Sequence, residues 1–130
     1  MAEEIAMDRS VADSTIQLVV SFNDALNAHE VNTMMRLMTE DCVFENTDPA
    51  PDGTRYEGQQ SVRAFWEGFF RTSREPRIEI EEILALGDRC IMRWTYHWVD
   101  TRGRPGHVRG VDIYKVRGGL IAEKLSYVKG

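Results

Sequence analysis

Asp112 is a charge at a position where the local pattern calls for an apolar residue. The segment Val108-Arg-Gly-Val-Asp-Ile-Tyr-Lys-Val116 alternates at period two. As a strand it places Val108, Gly110, Asp112, Tyr114 and Val116 on one face and Arg109, Val111, Ile113 and Lys115 on the other. A carboxylate on the less charged face is paired, pushed toward its neutral form, or lining a cavity. Lining a cavity, it can move a proton or anchor a polar group. His97, one hairpin upstream in Cys90–Val99, is the other residue of proton-transfer type near it in sequence.

Other chemistries find less support. Cys42 and Cys90 lie in apolar, strand-like runs without a CxxC pair, which predicts buried free thiols. His29, His97 and His107 are scattered without ligand spacing, so neither a metal site nor any cofactor is expected. Sixteen Lys and Arg against 21 Asp and Glu give a net charge of -5, which argues against nucleic acid as a partner. Met1-Ala-Glu-Glu-Ile-Ala-Met-Asp is unlike a secretory signal, and no apolar run reaches membrane-spanning length. A cytoplasmic protein that does not bind membranes is expected. With 130 residues, 42% hydrophobic and 28% charged, the chain suits one domain with a real core.

The elements that must position Asp112 follow from periodicity. A helix is expected from Asp8 or Ser10 to about Ala28, after a flexible segment over residues 1–9. A second short helix spans about Val31 to Met38, and a strand covers Cys42–Asn46. Two prolines and a glycine make Thr47–Thr54 a loop. A third helix starts near Gln59 or Gln60, where Val62, Phe65, Trp66, Phe69 and Phe70 form an amphipathic stripe ending near Pro76. Strands then cover Arg77–Leu86, with a bulge near Glu81-Glu82, then Cys90–Val99, the Asp112 segment, and Leu120–Val128 after a Gly118-Gly119 turn. The order α-α-β-α-β-β-β is an α+β architecture.

Four stretches carry a resemblance: Phe22-Asn-Asp-Ala-Leu-Asn, Met38-Thr-Glu-Asp-Cys-Val-Phe-Glu-Asn46, Tyr56-Glu-Gly-Gln-Gln-Ser-Val-Arg-Ala-Phe-Trp66, and Arg109 through Tyr127. With these the chain resembles the nuclear transport factor 2-like superfamily, in its SnoaL-like branch, over residues 10–130 as a single domain. The resemblance implies a cone-shaped α+β barrel, with a curved, mostly antiparallel sheet wrapped round three helices. It also implies an apolar pocket, a small hydrophobic ligand and a homodimer formed through the outer sheet face. If Trp94, Tyr96 and Trp98 face inward, Arg93, Thr95, Val99, Val111 and Ile113 are the expected contributors to that face.

The scaffold hosts several chemistries, so residues decide among them. Ketosteroid isomerase-like members need a base where this chain has Asn46 and a tyrosine where it has Phe22, which leaves Asp112 without its machinery. Limonene epoxide hydrolase-like members need a Tyr where Phe44 stands and an Asp where Ser126 stands, although Asn46 and Arg93 match other parts. SnoaL-like cyclases and related dehydratases use an Asp and a His on neighbouring strands, a set that Asp112 and His97 supply by type. The expected activity is proton transfer of the isomerase, dehydratase or cyclase kind on an apolar ring-containing compound. The alternative is a non-catalytic binding or assembly domain.

Two points decide between these. One is which face of Cys90–Val99 lines the pocket: burying Trp94, Tyr96 and Trp98 removes the most apolar area from water but turns His97 outward. The other is Lys124, which falls near the antiparallel partner of Asp112 if the glycine turn has three loop residues. It is then a structural ion-pair partner, or part of a tuned carboxylate site. The candidate site is Asp112 and His97 for catalysis, with Asn46, Trp66, Trp94, Tyr96, Trp98, Lys124 and Ser126 for binding.

Overall fold

The computed structural model describes residues 2–130, with side chains described from Ser10 onward. The elements in chain order are α1 (Ala2–Asn27), α2 (Val31–Arg36), β1 (Met38–Glu45), β2 (Arg55–Glu57), α3 (Gln59–Thr72), β3 (Arg77–Leu86), β4 (Arg89–Val99), β5 (Pro105–Arg117) and β6 (Leu120–Val128). The first helix therefore begins before the expected Asp8 or Ser10, and the side chains of the segment expected to be flexible, residues 1–9, lie outside those described. β2 is an element the pattern did not reveal. Its three residues pair with β1 through Phe44 and Tyr56, a contact too short to produce any periodicity.

The six strands form one sheet in the order β2-β1-β6-β5-β4-β3. Every neighbouring pair is antiparallel except β1 with β6. The sheet is not closed: β2 and β3 are its edges, so the α+β cone is open rather than a complete barrel.

Its inner face packs on the helices. Val19, Phe22 and Leu26 of α1, Met34 and Met35 of α2, and Val62 and Trp66 of α3 meet Met92, Trp94, Tyr114 and Ile121 of the sheet. Each such side chain contributes roughly 1.5–3 kcal/mol on burial. α1 is fastened to the edge strand β3 by polar groups. Asn27 Nδ2 donates to the Ile78 carbonyl at 2.9 Å, Ile78 N donates to Asn27 Oδ1 at 2.8 Å, and Asn23 Nδ2 adds a bond to the same carbonyl at 3.1 Å. Gln59, at the start of α3, donates to the carbonyls of Met35, Met38 and Thr39, which holds the end of α2 against α3.

Of the three register shifts in the sheet, one of them between Met38 and Val43 where β1 meets β6, two bear on the strands of β3 and of the β5–β6 hairpin. The one in β3 falls between Ile80 and Glu82, where alternation slips in the sequence. The other lies in the β5–β6 hairpin. The turn is two residues, Gly118 and Gly119 at φ 60° and 78°, not three. Val116 pairs with Ile121 but Lys115 pairs with Glu123, so Ala122 is an extra residue. Without that bulge Lys124 would oppose Ile113 on the outer face. With it, Lys124 opposes Tyr114 and Ser126 opposes Asp112 on the inner face.

Candidate functional site

Between α3 and the inner sheet face lies a cavity of about 350 Å³. Its walls are aromatic: Phe44 of β1, Phe65, Trp66 and Phe69 of α3, and Trp94 and Tyr96 of β4. The helical stripe supplies one side because i, i+3, i+4 and i+7 share a face. Phe44 stacks on Trp66 at 5.1 Å between centroids, and Phe69 leans on Tyr96 at 5.9 Å. The Asn46–Asp48 loop forms the mouth. The floor is polar and consists of Asp112, Lys124 and Ser126.

Asp112 is 1% exposed and Lys124 3%. Lys124 Nζ lies 2.9 Å from Asp112 Oδ2, and the Tyr114 hydroxyl donates to the same oxygen at 3.2 Å. Lys124 also donates to Ser126 Oγ at 3.2 Å and sits 4.7 Å from the Phe44 ring centroid. Two buried charges that face each other offset much of the cost of leaving water, whereas removing one leaves the other uncompensated. Burial pushes the Tyr114 hydroxyl well above its ordinary range, and the negative Asp112 beside it adds to the effect. Tyr114 therefore donates at neutral pH. The second carboxylate oxygen, Asp112 Oδ1, is buried and has no hydrogen-bond partner among the described residues.

β4 turns its aromatic residues inward. Trp94 is buried and Tyr96 half-buried, while Ile91, Arg93 and His97 lie on the outer face. His97 Nε2 is 3.0 Å from Glu79 Oε1, and its ring lies 6.4 Å from that of His107. Across the β4–β5 ladder His97 pairs with His107, whereas Asp112 pairs with Met92. The two residues offered as a proton-transfer pair are thus separated both by face and by five residues of strand. That grouping needs correction: His97 is not in the cavity. Arg93 is outside too, bound to Glu81 at 3.1 Å, so it does not complete an epoxide hydrolase-like set.

The remaining candidates are brought together, with one partial exception. Asn46, Trp66, Trp94, Tyr96, Lys124 and Ser126 line the cavity with Asp112. Trp98 stacks on Tyr96 at 5.3 Å but borders the next groove, with Val99 and Asp100. Trp98 lies flat on β5 because Gly106 has no side chain; a Cβ there would meet its ring at 2.6 Å. Asn46 has a structural task as well as a place at the mouth. Its Oδ1 accepts from the backbone N–H of Thr54 at 2.8 Å and of Asp48 at 3.3 Å, which closes the proline loop.

Sequence reasoning passed over Tyr114 as a site residue, although its place two residues from Asp112 on one face was the available signal. Phe65 and Phe69 of the helical stripe pack on the core and also face the cavity, as does Phe44 of β1. Among the described residues, no helix is long and apolar enough to cross a membrane, and no group of three or more His, Cys, Asp or Glu could hold a metal ion.

The SnoaL-like domain family model matches residues 19–124. A Mesorhizobium loti protein of nuclear transport factor 2-like fold and unknown function is similar at 38% identity and TM-score 0.76, over 92% of this chain and 93% of that one. A Mycobacterium tuberculosis protein solved with estradiol-17beta-hemisuccinate shares the fold at 24% identity and TM-score 0.74, over 88% and 92%. An LEH-like epoxide hydrolase from the same organism shares it at 18% identity and TM-score 0.77, over 91% and 84%. No curated protein matches the chain.

Proposed function

The chain belongs to the SnoaL-like domain family, and on that premise we propose that it binds an apolar ring-containing small molecule and transfers a proton on it without a cofactor, as isomerases, dehydratases and cyclases do. One observation carries the reading. A fully buried carboxylate, Asp112, forms the floor of an aromatic cavity with one oxygen held by Lys124 and Tyr114 and the other without a partner among the described residues. The bound oxygen fixes the carboxylate beneath the cavity. Lys124 supplies positive charge beside any negative charge that develops, and Tyr114, buried next to the floor, holds the carboxylate in place. Trp66, Trp94 and Tyr96 enclose the ring, and Asn46 and Ser126 border it.

A second reading, a non-catalytic binder, is favoured by the Lys124–Asp112 pair itself, which is the structural ion pair that reading requires. Replacing Asp112 alone would strand Lys124 and confuse the two. The neutral pair Asp112→Asn with Lys124→Gln avoids this. Turnover of a panel of enolisable ketones and hydroxylated polycyclics is measured on both proteins. The catalytic reading expects the double variant to stay folded and lose about 100-fold or more in rate. Absence of turnover by the parent protein on every member, with ligand binding intact in both, selects the binder.

The same proposal includes a homodimer in the cytoplasm. Free Cys42 and Cys90 suit a reducing compartment. On the outer face Leu84, Ile91, Ile113 and Leu125 fall opposite one another across β3, β4, β5 and β6, a row of apolar side chains, with Val111 beside Tyr127 in a neighbouring row. Thr95 contributes less than expected, being buried under its bond to Glu81. Ile91→Glu should convert a dimer to monomer in sedimentation velocity; a parent protein that sediments as a monomer at micromolar concentration removes this part.

A further inference from the structure

Trp98 does not line the cavity, yet its ring continues the aromatic wall outward. Phe69 leans on Tyr96 at 5.9 Å between centroids, and Tyr96 stacks on Trp98 at 5.3 Å with planes 29° apart. Tyr96 and Trp98 border a groove of about 580 Å³. Thr47, Tyr96 and Val108 line both this groove and the cavity, so the two spaces meet at these residues. Trp98 is half-buried, and Gly106 lets its ring lie flat on β5. An indole held in place beside an open groove is a stacking surface for an extended group.

Two charged residues line the groove, Arg74 and Asp100. Asp100 is committed to its own loop. Its Oδ1 accepts from the backbone N–H of Arg102 at 2.8 Å and of Arg104 at 2.9 Å, and its Oδ2 pairs with Arg104 Nε at 3.1 Å. The backbone bond from Arg104 does most to hold this carboxyl below its usual range, and Arg74 adds only its field. Arg74 is exposed and pairs with no carboxylate among the described residues. Its backbone is fixed in place, because Val99 N donates to the Arg74 carbonyl at 3.0 Å, next to Trp98 in sequence. The groove therefore joins an aromatic surface to an unpaired guanidinium, whose planar fork takes a carboxylate or phosphate by two parallel bonds.

We propose that cavity and groove form one bipartite site, in which the guest's ring carries an arm that passes Tyr96, crosses Trp98 and ends in an acidic group at Arg74. The inference rests on the pocket reading above and adds a second subsite outside the pocket. At an exposed cation the acidic group keeps part of its water, and salt screens the pair. The gain in affinity is accordingly modest, about three- to tenfold.

Naphthylacetate, naphthylbutanoate and naphthylhexanoate test it, each beside its methyl ester, titrated by calorimetry at low salt and in about 1 M NaCl. At least one acid should bind about three- to tenfold tighter than its ester at low salt, and the advantage should shrink at high salt. Arg74→Gln should erase that advantage while ester affinity stays within about twofold, which also controls for folding. Arg74→Lys should restore part of it, as a point charge without the fork. Arg71→Gln, in the last turn of α3 but off the groove, should change nothing. Trp98→Leu should weaken the tightest acid more than naphthalene itself. Acid and ester alike at every length, an advantage that survives Arg74→Gln, one lost equally in Arg71→Gln, or equal loss for acid and naphthalene in Trp98→Leu each overturns the inference. In those cases ester and naphthalene binding leave the pocket reading standing. If neither acids, esters nor naphthalene bind, both fall.

Discussion

At the scale of single residues, the Asp112–Lys124 pair has the largest consequences. Both groups are out of water, so their attraction is unscreened, and the loss of either strands its partner. Lys124→Met should lower unfolding free energy by about 3–5 kcal/mol. Adding Asp112→Asn should recover much of it, because no isolated charge remains. Urea unfolding of the four proteins closes the cycle, and an additive result would show that the pair is not coupled. The cysteines behave in the opposite way. Burial pushes the Cys90 thiol up to about 11 and raises Cys42 as well, with the negative Asp41 adding to the effect at Cys42. Neither thiol should alkylate with iodoacetamide at pH 8 until the chain is unfolded, as read by intact mass. Rapid native labelling would count against their burial.

At the scale of elements, two joints keep the cavity in shape. One is the Ala122 bulge, which sets the face that Lys124 occupies. The other is the fastening of α1 to edge strand β3 through Asn27, which makes both a donor and an acceptor bond to Ile78. Asn27→Ala breaks both bonds and leaves edge backbone groups partly unpaired. About 1–3 kcal/mol of stability should be lost, with amide exchange accelerating first in β3. Exchange that rises equally everywhere would mean that the joint is not local. Most elements were legible in advance, because helices with an apolar stripe and alternating strands are written in local pattern. β2 was not, and neither was the early start of α1. A three-residue strand exists only through its pairing with β1, and residues ahead of Ser10 carry little apolar period.

For the molecule as a whole, pH dependence follows from the buried acids. The folded Tyr114 and Cys90 hold their protons more tightly than the unfolded chain does. The sign follows: their contribution is fully present below the unfolded values of about 9 for a thiol and 10 for a phenol, and is lost as pH rises through the folded ones. Stability should therefore fall steeply above pH 9, with the Cys90 part lost between about 9 and 11. Tyr114→Phe should flatten the limb beyond pH 10 in thermal unfolding across pH. An unchanged limb would mean that other groups control it.

The sequence by itself determined the class of fold, the position and type of nearly every element, the bulge in β3, and the residue types of the aromatic walls. All of these are recorded in spacings of two to four residues along the chain. It also showed Asp112 to be out of place. Tertiary structure decided what Asp112 does. The turn after β5 and the extra residue Ala122 together choose which β6 side chains face inward, so Lys124 reaches Asp112 from beside Tyr114 while Ser126 stands opposite. Packing of Trp94 and Tyr96 into the core, with Trp98 stacked on Tyr96, turned His97 to the outer face beside Glu79. A one-residue change in register exchanges the faces of a strand, and no local pattern records a register that is set by its neighbour.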